Sequence, residues 1–541
     1  MRTTALRWAG TRTLLVEVGT LEDVVALHRR LTDAPLPGQI EVLAAASTVM
    51  LAFDTRAHAL AAPAALDRLD DGPATTVGGR EITVDVVYDG DDLAEVARMT
   101  GLGADGVIAA HTAQLWTAAF GGFAPGFAYL HGDDASLEVP RRQSPRTAVP
   151  AGSVALAGRF SAIYPARSPG GWQLIGRTQA VMWDLDRDPP ALVRPGDRVR
   201  YRAVRELVEL HPTAGTPTPR AEDTGGAEAS DTSLLVLSPG PQSLLQDLGR
   251  PGLGDLGVPA AGAADTASAR QANRLVGNPA HAAVVETLVG GLRIQACGEL
   301  TLSLTGAAET ATVSGPHGRR PVAARAPFAL HDHEVLTVQA PTSGLRSYLA
   351  VRGGLVAEAV LGSRSADTLS GLGPAPLASG TSVPVASVAR GHIVTHPEPS
   401  VLPRPREGTV NLRITSGPRA DWFAPDAIDA LCRHPWSAGS QSNRVGLRLE
   451  TGDRQTPVER IRTDELSSEG TATGSLQVPP SGLPVLFLTD HPVTGGYPVI
   501  AVVVPEDLPA AAQVPPGTSI RFTVVDPDTL LPRPPARSRE P

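Results

Sequence analysis

Three short stretches concentrate the residues able to recognise or transform a small molecule. The first, GFAPGFAYL at 122–130, sets Phe123, Phe127 and Tyr129 around Pro125-Gly126. A Pro-Gly pair suits the centre of a type II turn, and such a loop can wall a pocket with rings while glycine lets backbone approach a ligand. The second, PRRQSPR at 140–146, carries Arg141, Arg142 and Arg146, whose guanidinium forks suit a carboxylate or phosphate. The third, GPQSLLQDLGRPGLGDLG at 240–257, offers Gln246, Asp247 and Arg250 as a polar set beside Asp265, Asn273 and Glu286. It also holds Gly252-Leu253-Gly254-Asp255-Leu256-Gly257, the spacing of a dinucleotide-binding turn. Val258-Pro259-Ala260-Ala261-Gly262 follows where a helix would have to start, so no helix terminus faces a pyrophosphate. His331-Asp332-His333-Glu334 has the residue types of a metal cluster. Alternation along a strand puts only His331 and His333 on one face, so a solvated turn is expected and no metal.

What is missing narrows the chemistry further. The 541 residues hold no lysine, so all 47 basic residues are arginine. That excludes a Walker lysine, a Schiff-base lysine and a biotinyl-lysine. Any anion must be gripped by arginine, backbone N–H groups or a metal. A net charge of -9 argues against nucleic acid as a partner. Two cysteines, Cys297 and Cys432, build neither a disulfide framework nor a four-thiolate zinc site. No Gly-x-Ser-x-Gly elbow points to a serine hydrolase. The apolar runs fall short of the roughly 20 residues a membrane helix needs, and Leu14–Val18 is too short for a signal peptide. A cytoplasmic protein, away from membranes, is expected.

These stretches need a framework, and 55 glycines with 50 prolines favour short elements between tight turns. Leu14–Val18, Val42–Phe53 and Ile82–Val87 read as strands. Thr20 caps a helix over Leu21–Leu31, Asp91 or Asp92 caps one through Met99, and Gly103–Ala113 reads as another. From about Leu137 the pattern turns to short β runs. The segment 211–233 has no large apolar residue and reads as a linker. Beyond it Leu234–Leu237 opens a strand, and Asp265 caps a helix over Thr266–Val276 that Gly277 ends. The expected order is an α/β unit over 1–100, a barrel over 101–210, the linker, barrels over 234–400 and 401–526, and a disordered tail over 527–541. A Pro-rich stretch at 398–407 divides the last two barrels. An internal echo supports related barrels in the two halves. PAGSVAL (150–156) then SPGGWQLIG (168–176) parallels PPSGLPVL (479–486) then VTGGYPVIA (493–501).

In their order along the chain these strings resemble a known pair of proteins. The first half resembles the B-type subunit of the ATP-dependent 5-oxoprolinase, also described as allophanate hydrolase subunit 1 or the KipI family. It does so through YDGDDLAEVA (88–97), GFAPGFAYL, PRRQSPR, PAGSVALAG (150–158) and YPARSPGGWQLIGRT (164–178). The second half resembles the C-type subunit of the same enzyme, allophanate hydrolase subunit 2 or the KipA family. The carriers are QDLGRPGLGDLGVPAAGAAD (246–265), ANRLVGNP (272–279), VETLVGG (285–291), SNRVGLRL (442–449), SSEGTATGSLQVPPSG (467–482) and TGGYP (494–498). It departs from the pattern at DHPV before TGGY, and at Ala264.

The resemblance implies a mostly β fold with an α/β N-terminal part and cyclophilin-like β-barrels, one in the B-type half and two in the C-type half. It places the chain in the carboxyltransferase domain family. It implies ATP-dependent cleavage of 5-oxo-L-proline to L-glutamate, with ATP and Mg²⁺, no covalent biotin, and a separate A-type subunit of the LamB/YcsF family. On that reading Arg141, Arg142 or Arg146 meets a carboxylate or phosphate. Phe123, Pro125, Gly126, Phe127, Tyr129, Gly170, Gly171 and Trp172 form the lactam pocket. Asp247, Arg250, Arg444, Glu469, Asp490 and Tyr497 face it as catalytic groups, with Gln477, Gly495 and Gly496 beside them. Two other functions fit the resemblance: a carboxyltransferase component acting on urea or a related small amide with a separate biotin carrier, and a KipI-like inhibitor of a histidine kinase.

Overall fold

Glycine and proline turns divide the chain into short strands, which outweigh the helices. This computed structural model describes residues 3–69, 79–142, 144, 146–206, 229–387, 391–403, 408–452 and 456–533. At the N-terminus an antiparallel sheet runs in the order Thr3–Trp8, Thr13–Val18, Thr48–Phe53, Gln39–Ala44. The helix Leu21–Asp33 covers it and starts as the sequence predicts, with Thr20 Oγ1 accepting the Asp23 N–H at 3.1 Å. The single strand expected over Val42–Phe53 is two, because Ala45 N–H donates to Thr48 O and turns the chain. A second helix, Arg56–Leu66, contains Pro63 and was not signalled by periodicity.

Next comes a barrel. Its strands run Glu81–Val86, Gln173–Arg177, Ser153–Ala157, Phe160–Ile163, Ala128–His131, Trp116–Gly121, Arg198–Ala203, and the bridge between Val87 and Arg177 joins the first to the second. Glu81–Val86 pairs in parallel with Arg198–Ala203. The barrel therefore begins before residue 100, the boundary expected from sequence, and its β pattern starts at Trp116 rather than Leu137. The outer face of this barrel shares one apolar core with the N-terminal unit, from Leu14 and Leu51 to Phe120 and Trp172.

The C-terminal barrel repeats that strand order: Thr409–Ser416, Val499–Val503, Ser475–Gln477, Val485–Phe487, Gly446–Glu450, Trp436–Ala438, Ser519–Val524. Again the first and last strands pair in parallel. Trp116 and Trp436 even donate their indole N–H to backbone oxygens at the same spacing, His111 and Leu431, both at 3.0 Å. Half of the expected echo has to be realigned. Gly170-Gly171-Trp172 and Gly495-Gly496-Tyr497 do lead into equivalent strands. Gly152, however, corresponds to Gly474, each at positive φ before a Ser-initiated strand, and not to Gly482. Each barrel also carries a two-stranded flap, Arg146–Val149 with Ser168–Gly170 and Glu469–Gly470 with Thr494–Gly495.

Between the barrels, the region expected as a third one takes the form of a six-stranded and a five-stranded sheet facing each other across one core. The helix Thr266–Leu275 lies against the five-stranded sheet, capped as predicted by Asp265, which accepts the Ser268 N–H at 2.9 Å. Of the expected linker, 207–228 lies outside the described residues, whereas 229–233 belongs to the strand Ala229–Pro239. In the Pro-rich stretch, 404–407 lies outside them too. The tail is not wholly loose: Asp528 pairs with Arg56 at 2.9 Å and Pro532 bridges to Val525, while 534–541 lies outside the described residues.

The glycine-rich loop holds the two halves together. A Cβ on Gly121 would stand 2.0 Å from Asp255 O, and one on Gly257 2.1 Å from Ala124 O, so only glycine allows this approach. Gly252 and Gly254 donate their N–H groups to the carboxylate of Glu41 at 2.9 and 3.2 Å. The loop that mimics a dinucleotide turn thus holds an internal carboxyl group. Burial pushes the Glu41 carboxyl up to about 7, the two glycine N–H groups oppose this, and the Asp255 charge adds to it. Nearby, His28 is lowered by burial and raised by the Asp255 charge. A carboxyl raised on folding contributes stability that is complete below the unfolded value near 4.5 and is lost as pH rises through about 7. Urea unfolding between pH 5 and pH 8 is therefore expected to show a fall in stability on the order of 3 kcal/mol attributable to this group, absent in Glu41→Gln. Parallel pH profiles of the two proteins would refute the assignment.

Candidate functional site

A cavity of about 430 Å³ opens on the outer face of the first barrel, where the signature strings of both halves meet. Strand alternation and the Gly-Gly turn bring Phe120, Tyr129, Phe160 and Trp172 to its wall, and Ala46 of the N-terminal unit closes one side. Arg141 enters from the first half, while Glu465, Ser467 and Ser468 enter from the second. The site is therefore composite. Its rings interlock: Phe120 stacks on Tyr129 at 4.3 Å, and Trp172 meets Tyr129 edge-on at 5.4 Å. Behind them Phe127 packs edge-on to Trp172 at 5.5 Å and Phe123 to Phe127 at 5.1 Å. Each such pair adds about 0.5–1.5 kcal/mol beyond its burial, which holds the wall rigid.

The GFAPG loop has the expected turn. Phe127 N–H donates to Ala124 O at 2.9 Å, with Gly126 at φ 78°. Phe123 sits at φ 64°, a costly conformation for a ring-bearing residue, and its N–H donates to Thr494 Oγ1 at 3.0 Å. Signature loops from both halves thus meet directly. Phe123 and Phe127 support the cavity wall from behind; Tyr129 and Trp172 line it. Pro125, Gly126, Gly170 and Gly171 shape the backbone: Gly171 O accepts the Arg142 N–H at 2.8 Å, and a Cβ on Gly170 would meet Tyr164 Oη.

The three arginines of PRRQSPR part company. Arg146 forks onto Asp92 at 2.8 and 2.9 Å, and Arg142 joins it at 2.5 Å. Asp92 also accepts the Leu174 N–H at 2.8 Å. It sits at the start of the helix Leu93–Thr100 but makes no side-chain capping bond, contrary to expectation, because its oxygens are taken. Burial would raise its carboxyl, yet Arg146, the Leu174 N–H and the two positive charges hold it below the usual range. Arg142 and Arg146 therefore meet the protein's own carboxylate. Arg141 alone lines the cavity, with Nε 3.1 Å from Glu465 and Nη2 donating to Ser468 Oγ at 3.2 Å.

The polar residues expected to face the cavity from the second half do not line it. Arg444 is 2% exposed and binds Asp490 through two bonds at 2.9 Å, Glu286, and Gly262 O. Burial works against its charge, but Glu286 and Asp490 outweigh this and raise its pKa. Tyr348 donates to Glu286 at 2.8 Å, and Thr368 donates to Asp490 through N–H and Oγ1. Asp247 is taken by Ser363, Ser365 and the N–H groups of Gly249 and Arg364; Arg250 reaches Val360 O and Ser365 O. Asn273 donates to Ala282 O, and Gln246 to Ala366 O. Arg444 and Asp490 fasten the second barrel to the middle unit, whereas Asp247, Arg250, Asn273 and Gln246 make their bonds within the middle unit. Glu469 belongs to another clasp: Arg419 bridges it to Glu17 of the N-terminal sheet. Gln477 donates to Tyr497 O at 3.1 Å, while the Tyr497 side chain lies outside the cavity lining and is 42% exposed. Gly495 pairs with Glu469, and Gly496 leaves room for Arg141, whose Nη1 would be 3.3 Å from a Cβ there.

Sequence reading missed Phe120, Phe160, Glu138, Glu465, Ser467 and Ser468 at the cavity. Ser467 and Ser468 open the SSEG string, so a signal was present. Glu465 had none, since its role comes from a contact across the halves. The His331–Glu334 turn pairs His331 with Glu299 and Glu334 with Arg320. Among the described residues no group of three or more His, Cys, Asp or Glu is placed to hold a metal, and no helix is long and apolar enough to cross a membrane. The two kinds of arginine separate by stability: Arg146→Gln is expected to cost ~2 kcal/mol in urea unfolding because buried Asp92 loses its two-pronged partner and keeps only Arg142 and the Leu174 N–H, and Arg141→Gln less than ~1 kcal/mol. Equal losses would contradict this division.

Comparison with known proteins agrees with the layout. A family model for the carboxyltransferase domain, subdomain C and D, matches residues 4–193, and one for subdomain A and B matches 256–524. The chain is 34% identical to the C-type subunit of 5-oxoprolinase from Escherichia coli (strain K12) over 53% of its own length and 90% of that protein. It is 37% identical to the B-type subunit of 5-oxoprolinase from Escherichia coli O157:H7 over 36% of its length and 90% of that protein. Urea amidolyase of Lachancea kluyveri is 27% identical over 54% of this chain but 17% of that protein. The crystal structure of TTHA0988 superposes with a TM-score of 0.80 at 34% identity, covering 95% of this chain and 99% of that one. The chain therefore belongs to the carboxyltransferase domain family, with one part related to the B-type and one to the C-type subunit of 5-oxoprolinase, joined in one polypeptide.

Proposed function

We propose that this protein opens the ring of 5-oxo-L-proline to give L-glutamate, coupled to ATP hydrolysis with Mg²⁺, as a fused B-type and C-type component working with a separate A-type subunit. The likeness to known proteins supports the coarser statement of a 5-oxoprolinase-type or urea carboxylase-type component. The observation that favours the lactam is the cavity itself, where four rings and Arg141 of one half meet serine hydroxyls of the other. A flat cyclic amide stacks between rings, and its carboxylate finds a guanidinium. Ser467 and Ser468 stand where hydroxyls can donate to a developing oxyanion, a contribution of about 3–4 kcal/mol for a well-placed donor.

Two of the three arginines that sequence offered for a carboxylate or phosphate, and the glycine turn whose dinucleotide spacing it set aside, do not fit a nucleotide. The N–H groups of Gly252 and Gly254 are given to Glu41, and Arg142 and Arg146 to Asp92. No step through ATP is assigned to them, and in this proposal the nucleotide is handled together with the A-type subunit.

The test is glutamate release from 5-oxo-L-proline by the full chain with ATP, Mg²⁺ and the A-type subunit. Trp172→Ala is expected to lower kcat/KM at least ~10-fold, since a buried aromatic wall contributes more than 1.4 kcal/mol. The urea amidolyase likeness favours a second reading, in which urea is the acceptor and a biotin carrier comes from another chain. Absence of glutamate release, with urea-dependent consumption of carboxybiotin instead, would replace the first reading by the second.

A further inference from the structure

We propose that Glu465, reaching across from the second half, is a placeholder for the ligand carboxylate: it occupies Arg141 while the cavity is empty and leaves when an anionic ligand arrives. The inference rests on the cavity being the lactam site and adds how that site selects a charged ligand over a neutral one.

The three arginines of the motif differ in how firmly they are held. Arg142 and Arg146 converge on Asp92, whose side chain is 5% exposed, and Arg146 makes a two-pronged contact. Removing such a pair strands a buried charge. Arg141 instead meets Glu465 through one contact, Nε to Oε1 at 3.1 Å, with side-chain exposures of 34% and 58%. A half-solvated, single-pronged pair of this kind is worth only about 0–1 kcal/mol. A free carboxylate that takes both arms of the fork gains more, about 1.5–3 kcal/mol for hydrogen bonds to a charged group. Exchange therefore favours the ligand.

The surroundings are built for such an exchange. Both Arg141 and Glu465 line the cavity, so the ligand reaches the pair without passing through packed core. Ser468 Oγ accepts from Arg141 Nη2 at 3.2 Å and keeps the guanidinium in place when Glu465 departs. Gly496 gives the Nη1 side its clearance. Arg141 belongs to the first half and Glu465 to the second, so filling the cavity loosens one contact between the halves. Glu465 is thus a specificity-determining residue that a neutral ligand has no means of displacing.

Calorimetric titration of the full chain with 5-oxo-L-proline and with its neutral carboxamide reads this directly. Glu465→Gln should tighten 5-oxo-L-proline binding about threefold to fivefold and leave the carboxamide unchanged. Arg141→Gln should weaken 5-oxo-L-proline at least ~10-fold with little effect on the carboxamide. Glu138→Gln, which removes another carboxylate from the cavity lining, should have the smaller effect. An unchanged affinity in Glu465→Gln, or an equal gain in Glu138→Gln, overturns the placeholder. Cyclopentanecarboxylate separates the two proposals. If it binds with this dependence on Arg141 and Glu465 while 5-oxo-L-proline does not bind, the placeholder stands and the lactam reading falls. If 5-oxo-L-proline binds and only Arg141→Gln weakens it, the placeholder falls and the lactam reading stands. No binding by either carboxylate defeats both.

Discussion

The aromatic wall of the cavity is anchored through one buried guanidinium. Arg444 is enclosed by Asp490, Glu286 and Gly262 O, which belong to three separate stretches of chain. With Asp490 fixed by Arg444 and Thr368, the segment that follows has a defined start. Four residues on, Thr494 meets Phe123 and fixes the GFAPG loop, and that loop backs the aromatic wall. A lysine could not serve here, since its single point charge cannot fork onto one carboxylate while reaching a second and a backbone oxygen. A chain with no lysine at all builds its joints from such forks: Arg419 between Glu17 and Glu469, Arg146 on Asp92, Arg413 on Asp507.

The two barrels share a strand order yet serve unequal ends. The first turns its outer face toward the N-terminal unit and carries the ring-lined cavity. The second contributes the segment before its flap, Glu465 to Ser468, as the polar rim. Two copies of one barrel design thus supply different parts of one site, the wall and the edge, and neither half encloses it alone.

The sequence carried the fold where its signals were local. Thr20 and Asp265 capped the helices they preceded, Gly126 made its turn, and the Gly-Gly turns led into equivalent strands. It failed where partners are remote. Asp92 looked like a cap because nothing nearby shows that Arg142, Arg146 and Leu174 claim its oxygens. Asp247, Arg250, Arg444 and Asp490 looked catalytic because their types are right; that their charges are already engaged depends on residues more than a hundred positions away. The cavity was half legible. Tyr129, Arg141 and Trp172 lay in conspicuous strings, whereas Phe120, Phe160 and Glu465 acquire their place only when the sheet and the second half assemble around them.

The parallel pairing of first and last strands in each barrel has a consequence for biosynthesis. Glu81–Val86 has no ladder partner on one edge until Arg198–Ala203 has emerged, and Thr409–Ser416 waits likewise for Ser519–Val524. Ala229–Pro239 must wait for Ser382–Ala386. Such non-local closures are slow and leave strand edges open to wrong pairing. Because each closure is completed within its own stretch of chain, a nascent polypeptide can seal one unit before the next leaves the ribosome, which limits mispairing between two barrels of the same design.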